Sequence, residues 1–95
     1  MKMELPLNYN ILTHGDIINV REEYMKRQNN LCYYCKEPLL QSPAKIITDV
    51  KINKDLFPRN FFNYPIHLHH NHKTGDTIGA VHNLCNAVLW EIEGE

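Results

Sequence analysis

The stretch HLHHNHKTGDTIGAVHNLCNAVL, His67 to Leu89, decides how this chain is read. Alternation predicts a strand over His67 to His72, and Lys73-Thr74-Gly75-Asp76 carries turn chemistry. A second strand is expected over Thr77 to Val81 and a helix from Asn83 to about Ile92, giving the order strand, turn, strand, helix. The first strand holds His67, His69, His70 and His72. Imidazole binds transition metals and is the side chain best suited to take a proton near neutral pH, so this run is the first candidate for chemistry. In an undistorted strand His69 and His70 point to opposite faces. For both to address one site, the strand must end, twist or bulge between them.

The second half of the stretch holds His82 and Cys85, three apart on neighbouring positions of one helical face. Working outward, the other two cysteines of the chain form Cys32-Tyr33-Tyr34-Cys35. An odd total of three argues against a disulfide framework, and the CxxC spacing suits either a redox pair or half of a zinc site. Joined to His82 and Cys85, it supplies three thiolates and one imidazole, a set that closes a tetrahedral structural Zn2+ site. An ion held there would staple two parts of the chain some fifty residues apart, contributing about 10 kcal/mol or more if it behaves as in zinc-finger peptides. A chain this short buries only a modest core, so such a staple matters to its stability.

With 95 residues, 43% hydrophobic and 22% charged, the chain is expected to be one small globular domain over residues 1-95. No stretch approaches the roughly 18 consecutive apolar residues of a membrane span, and no basic-then-apolar run resembles a signal peptide, so a cytoplasmic protein with no membrane partner is expected. The net charge of -1 is not the basic excess of a simple nucleic-acid binder. Its distribution is uneven: residues 24-75 carry eight Lys or Arg against three Asp or Glu, while acid concentrates at Glu22-Glu23 and in Glu91, Glu93 and Glu95. Residues 1-15 read as an irregular lead-in. From Asp16, taken as the N-cap, Ile17, Val20 and Tyr24 recur at helical spacing up to about Asn29-Asn30. Lys45 to Asn53 alternates, with Ile46, Thr48, Val50 and Ile52 on one face and Ile47 as the exception, which predicts an inserted strand. Residues 54-65 read as a loop that partly packs on the core. The aromatics flanking the CxxC turn and the strand, and Trp90, are assigned to the core.

The order CxxC, then HLHHNHKTG, then IGAVHNLCN resembles the HNH or His-Me finger nucleases, closest to the branch typified by phage recombination endonuclease VII. The resemblance covers roughly Gln28 to Leu89 with a gap in the middle. It implies an α+β fold: a small zinc-stabilised ββα-metal finger, core 66-92, zinc knuckles 32-35 and 82-85, with an N-terminal helix and an inserted strand or loop. It implies a metal-dependent endonuclease that hydrolyses DNA phosphodiester bonds. His70 matches the general base, His69 and Asn86 match the ligands of one catalytic divalent cation, and His72 matches a histidine that orients or contacts the phosphate. Cys32, Cys35, His82 and Cys85 match the zinc set, with His82 where that branch has Cys. His69 also stands where the branch has Asp. That substitution weakens the expected hold on Mg2+ and relatively favours Mn2+ or another transition metal. Lys51, Lys54, Arg59 and Lys73 are the candidate DNA phosphate contacts, although Lys73 beside a turn better suits simple solvation. One finger holds one cation and makes one nick, so cutting both strands would call for a homodimer. The competing expectations are a zinc-bound module that only binds nucleic acid or protein, and a redox CxxC protein.

Overall fold

The computed structural model describes residues 3–91. Among these are three α-helices, α1 (His14–Arg27), α2 (Lys45–Thr48) and α3 (Asn83–Glu91), and one two-stranded antiparallel sheet of β1 (Ile66–His70) and β2 (Thr77–His82). Ile92, where α3 was expected to end, and the acidic Glu93 and Glu95 lie outside the described residues. No described helix is long and apolar enough to cross a membrane.

Helix α1 starts three residues before the expected first turn. Thr13, not Asp16, is the N-cap: its side chain accepts from the Asp16 N–H at 3.1 Å while the Asp16 carboxylate accepts from the Thr13 N–H at 3.1 Å. Asp16 is thus the reciprocal half of a capping box, a role its residue type serves as well as that of cap. Lys26 and Arg27 in the last turn complement the helix dipole. The helix stops at Gln28 because Asn29 and Asn30 adopt φ of 56° and 61°, a region asparagine tolerates. On the inner face Val20 is buried, and the Tyr24 hydroxyl reaches the Thr77 carbonyl at 3.0 Å, fastening α1 to β2.

The expected strand over Lys45 to Asn53 is not formed. Instead Lys45–Thr48 makes a helical turn, with Ile47 5% exposed in the core and Ile46 75% exposed. The residue that broke the alternation is therefore the one that packs. A short apolar run fits strand and helix alike, and here a strand would have needed a neighbour for its backbone bonds that α3, against which α2 packs, does not offer. Residues 54-65 follow as two 3₁₀ turns, Lys54–Leu56 and Phe61–Asn63. They are pinned to α3: Asn83 donates to the carbonyls of Phe62 (3.2 Å) and Tyr64 (3.0 Å), and the Glu91 carboxylate accepts from the Asn53 N–H at 3.1 Å.

Strands β1 and β2 pair from Ile66 opposite His82 to His69 opposite Gly79, and the register then slips so that His70 faces Thr77. A register slip thus falls between the two histidines, with Ile78 as the extra residue on β2, but it does not bring them to one site: His70 lines a cavity that His69 does not. The turn after it is built by Asn71, whose side chain accepts from the N–H groups of Lys73 (2.8 Å) and Thr74 (3.0 Å), and by Gly75 at φ 84°. A Cβ on Gly75 would also lie 2.7 Å from the Asn8 side chain. The lead-in is less irregular than its sequence suggests. Leu7 and Thr77 exchange hydrogen bonds, and the Tyr9 N–H donates to the Gly75 carbonyl at 2.7 Å, so residues 7-9 run along the start of β2. The core joins Leu39, Ile47, Ile66, Val81 and Val88 to Cys32 and Cys85.

Candidate functional site

Two arrangements of side chains carry chemistry. In the first, Cys32, Cys35, His82 and Cys85 bring their ligand atoms within 4.8 Å of one another, and among the described residues no other group of three or more His, Cys, Asp or Glu converges in this way. His82 closes β2 and Cys85 lies in the first turn of α3, so the strand-to-helix junction sets one half of the cluster. The CxxC turn sets the other, with Lys36 at φ 68° and its N–H donating to the Cys32 carbonyl at 3.0 Å. The halves are joined where the Tyr33 N–H donates to the Ala80 carbonyl at 2.9 Å. Close approach there leaves no room for a side chain at Gly79, whose Cβ would sit 3.0 Å from Tyr33 and 2.8 Å from Gln28. Gln28 secures the same contact by accepting from the Ala80 N–H and donating to the Ala80 carbonyl, both at 2.9 Å.

The donor set fits a tetrahedral ion. His82 Nδ1 lies 3.5 Å from Cys35 Sγ and 3.6 Å from Cys85 Sγ. Bond lengths of about 2.0 Å to nitrogen and 2.3 Å to sulfur give tetrahedral edges of about 3.5 Å. The Nε2–H of His82 donates to the Pro38 carbonyl at 2.9 Å, which fixes the tautomer and leaves Nδ1 bare toward the sulfurs. Hydrogen bonds from the Cys85 thiol and then from backbone groups, including the N–H of Tyr34 and Cys35, hold Cys32 down to about 4 against its burial. Cys85 is pushed up because its thiol donates to Cys32 and because it is buried. These four residues could hold one metal ion. The cysteines are free, none being joined in a disulfide.

The second arrangement is a cavity of about 540 Å3 between α1, β1, α3 and the 54-65 segment. His67, His70, His72 and Asn86 line it, with Arg21 of α1 and the aromatic side chains of Phe57, Phe61, Tyr64 and Trp90. The His70 ring is stacked flat on Tyr9, with centroids 3.8 Å apart and planes 3° apart, and meets His72 edge-on at 4.7 Å. Burial, then the neighbouring His72 and His69, lower His70 from 6.5 to about 4, so this imidazole is neutral at ordinary pH. His67 is also lowered, first by burial, although the carbonyls of Phe61 and Tyr64 draw it the other way. Its Nδ1 faces the Asn86 carboxamide nitrogen at 3.1 Å. A neutral ring that bonds to those carbonyls through one nitrogen accepts at the other, so His67 orients the Asn86 amide.

Of the residues expected from sequence, the cavity gathers His70, His72 and Asn86. His69 is buried at 2% exposure and is not among the cavity walls, and Asn86 meets His67, which sequence reading left without a role. The HxH spacing of His67 and His69 was the only signal for His67. Lys51, Lys54, Arg59 and Lys73 are exposed, and none lines the cavity. Trp90, assigned to the core, is 43% exposed on the cavity wall, because its neighbours Val88 and Leu89 take the inward face of α3. Tyr33 and Tyr64 are likewise exposed, at 45% and 54%. Tyr9 and Arg21 were missed, and nothing local marks them, since each meets the site only through folding. The chain matches no family model, no curated protein and no solved structure.

Proposed function

We propose that this protein is a metal-dependent endonuclease that hydrolyses DNA phosphodiester bonds, built as a zinc-tethered ββα finger of the HNH kind. The observation that carries the reading is the neutral His70, held flat against Tyr9 on the wall of a cavity shared with His72 and Asn86. His70 is the general base. With the Leu68 carbonyl drawing on one ring nitrogen, the other is left to take the proton from an attacking water. His72, edge-on to that ring and exposed, is placed to contact the phosphate. Asn86, its amide nitrogen engaged by His67, keeps its carboxamide oxygen for a divalent cation, whereas His69, the second donor expected from sequence, is buried outside the cavity wall. A divalent cation such as Mg2+ or Mn2+, when bound, supplies Lewis-acid stabilisation of the charge on the phosphate and the leaving oxygen. The cluster of Cys32, Cys35, His82 and Cys85 takes Zn2+ as a structural ion, fixing α3 and hence Asn86. Lys51, Lys54 and Arg59 are exposed cations along the 54-65 side that serve as phosphate contacts.

The test is cleavage of plasmid DNA with Mg2+ or Mn2+ by the wild type and by His70→Ala, alongside metal analysis. The expected result is one zinc per chain, nicking by the wild type, and its loss in the variant with zinc retained. If neither protein cuts while both bind DNA, the chain is a zinc-bound binding module instead.

A further inference from the structure

Arg21 has a feature that base catalysis at His70 does not use. Among the described residues its Nε is shielded from solvent without a hydrogen-bond partner, and its one hydrogen bond runs from a terminal nitrogen to the Ile66 carbonyl at 3.3 Å. Neither of the two ion pairs among the described residues involves it. A guanidinium in a cavity wall with no carboxylate paired to it among the described residues is a site for an anion, and its fork geometry suits the oxygens of phosphate. The same cavity has walls of a different chemistry: Phe61, Tyr64 and Trp90 present aromatic surface, with Tyr64 and Trp90 about half exposed. Aromatic faces beside a cation suit a planar base attached to a phosphate. The volume of about 540 Å3 is room enough for one nucleotide.

We propose that this cavity holds one unpaired nucleotide of a DNA strand, its phosphate on Arg21 and its base against Phe61, Tyr64 and Trp90. The substrate is then single-stranded or locally unpaired DNA, because a base inside a duplex reaches such a wall only after leaving its stack. The inference deepens the nuclease reading and rests on it for the choice of DNA as ligand. Bound in this way, the strand passes its backbone over His70 and His72.

Trp90 is the only tryptophan of the chain, so its fluorescence reports on the pocket directly. The zinc-loaded full chain is titrated, without added Mg2+ or Mn2+, with oligothymidylate of about eight nucleotides and with a duplex of equal length. Saturable quenching is expected with the single strand, and binding at least about tenfold weaker with the duplex. Arg21→Gln should weaken single-strand binding about tenfold and reduce the slope of log K against log salt by about 0.7, the share of one phosphate contact. Tyr64→Ala should weaken binding about fivefold or more and leave that slope unchanged. Should Arg21→Gln fail to fold, Arg21→Lys, which keeps the charge and loses the fork, takes its place with the slope retained and the affinity reduced. Equal quenching by duplex and single strand, or an affinity indifferent to both Arg21 and Tyr64 substitutions, overturns the proposal. The two readings fail separately: a protein that quenches but never cuts keeps the pocket and loses the nuclease, and one that cuts without quenching does the reverse.

Discussion

If the Cys32, Cys35, His82 and Cys85 cluster holds zinc as proposed, stripping it should unfold this protein, and the magnitude follows from where the cluster sits. Cys32 and Cys85 are 1% and 0% exposed and His82 is 3% exposed, so the ligands are part of the core. Ile47, Ile66, Val81 and Val88 pack in the same cluster. Structural zinc contributes about 10 kcal/mol or more to folding in small domains. The whole stability of a domain is about 5 to 15 kcal/mol. Removing the ion therefore takes away most or all of the margin, and leaves the thiols with only hydrogen bonds to one another, to His82 and to backbone N–H groups. In a domain of this size each 1 kcal/mol moves the melting midpoint by about 4 to 8 °C. The assay is far-UV circular dichroism during titration with a strong chelator, followed by return of one equivalent of zinc. The cooperative melt should vanish on chelation and reappear at one zinc per chain, and Cys85→Ala should behave as the chelated protein does. A chelated protein that still melts cooperatively within a few degrees of the zinc-loaded one would refute the reasoning.

Four further outcomes are expected. His70 is held down to about 4, so in the free protein its ring signals should titrate near pH 4 by NMR instead of near 6.5, and cleavage limited by that base should hold level as pH falls to about 5. The unfolded chain binds the proton more readily between those two values, so His70 makes stability rise with pH across that window and be lost as pH falls through it; His70→Gln should flatten that part of the denaturation profile. Ile47→Ala should cost about 2 to 4 kcal/mol in urea unfolding and Ile46→Ala under about 0.5 kcal/mol, because only the first is buried; the reverse order would restore the strand reading. Gly75→Ala should destabilise by about 1 to 3 kcal/mol, since the residue is held at φ 84° with the Asn8 side chain where a methyl would go, and an unchanged melting midpoint would count against that turn.

The parts of the fold that were legible share a property: their residues sit close in sequence and repeat a local period. Alternation and a Gly-containing turn marked β1 and β2, and the HxxC spacing marked the entry to α3. Even the break between His69 and His70 could be asked for from the rule that neighbours in a strand face apart. Where the period was short the reading failed, as at Lys45–Thr48, because four apolar-rich residues carry no preference strong enough to withstand what packs against them. Residue type also left Asp16 ambiguous, since the same carboxylate suits both ends of a capping box.

Local pattern and ligand chemistry alone determined which four side chains would compose a cluster that could hold a metal ion. Only the folded chain decided that Asn86 meets His67 and not His69, that Tyr9 lies flat on His70, and that Arg21 closes the same cavity. Dihedral preference acts between residues a few positions apart, whereas these contacts join residues 19, 61 and more than 40 positions apart, where chain spacing prescribes nothing and complementary packing selects the partner.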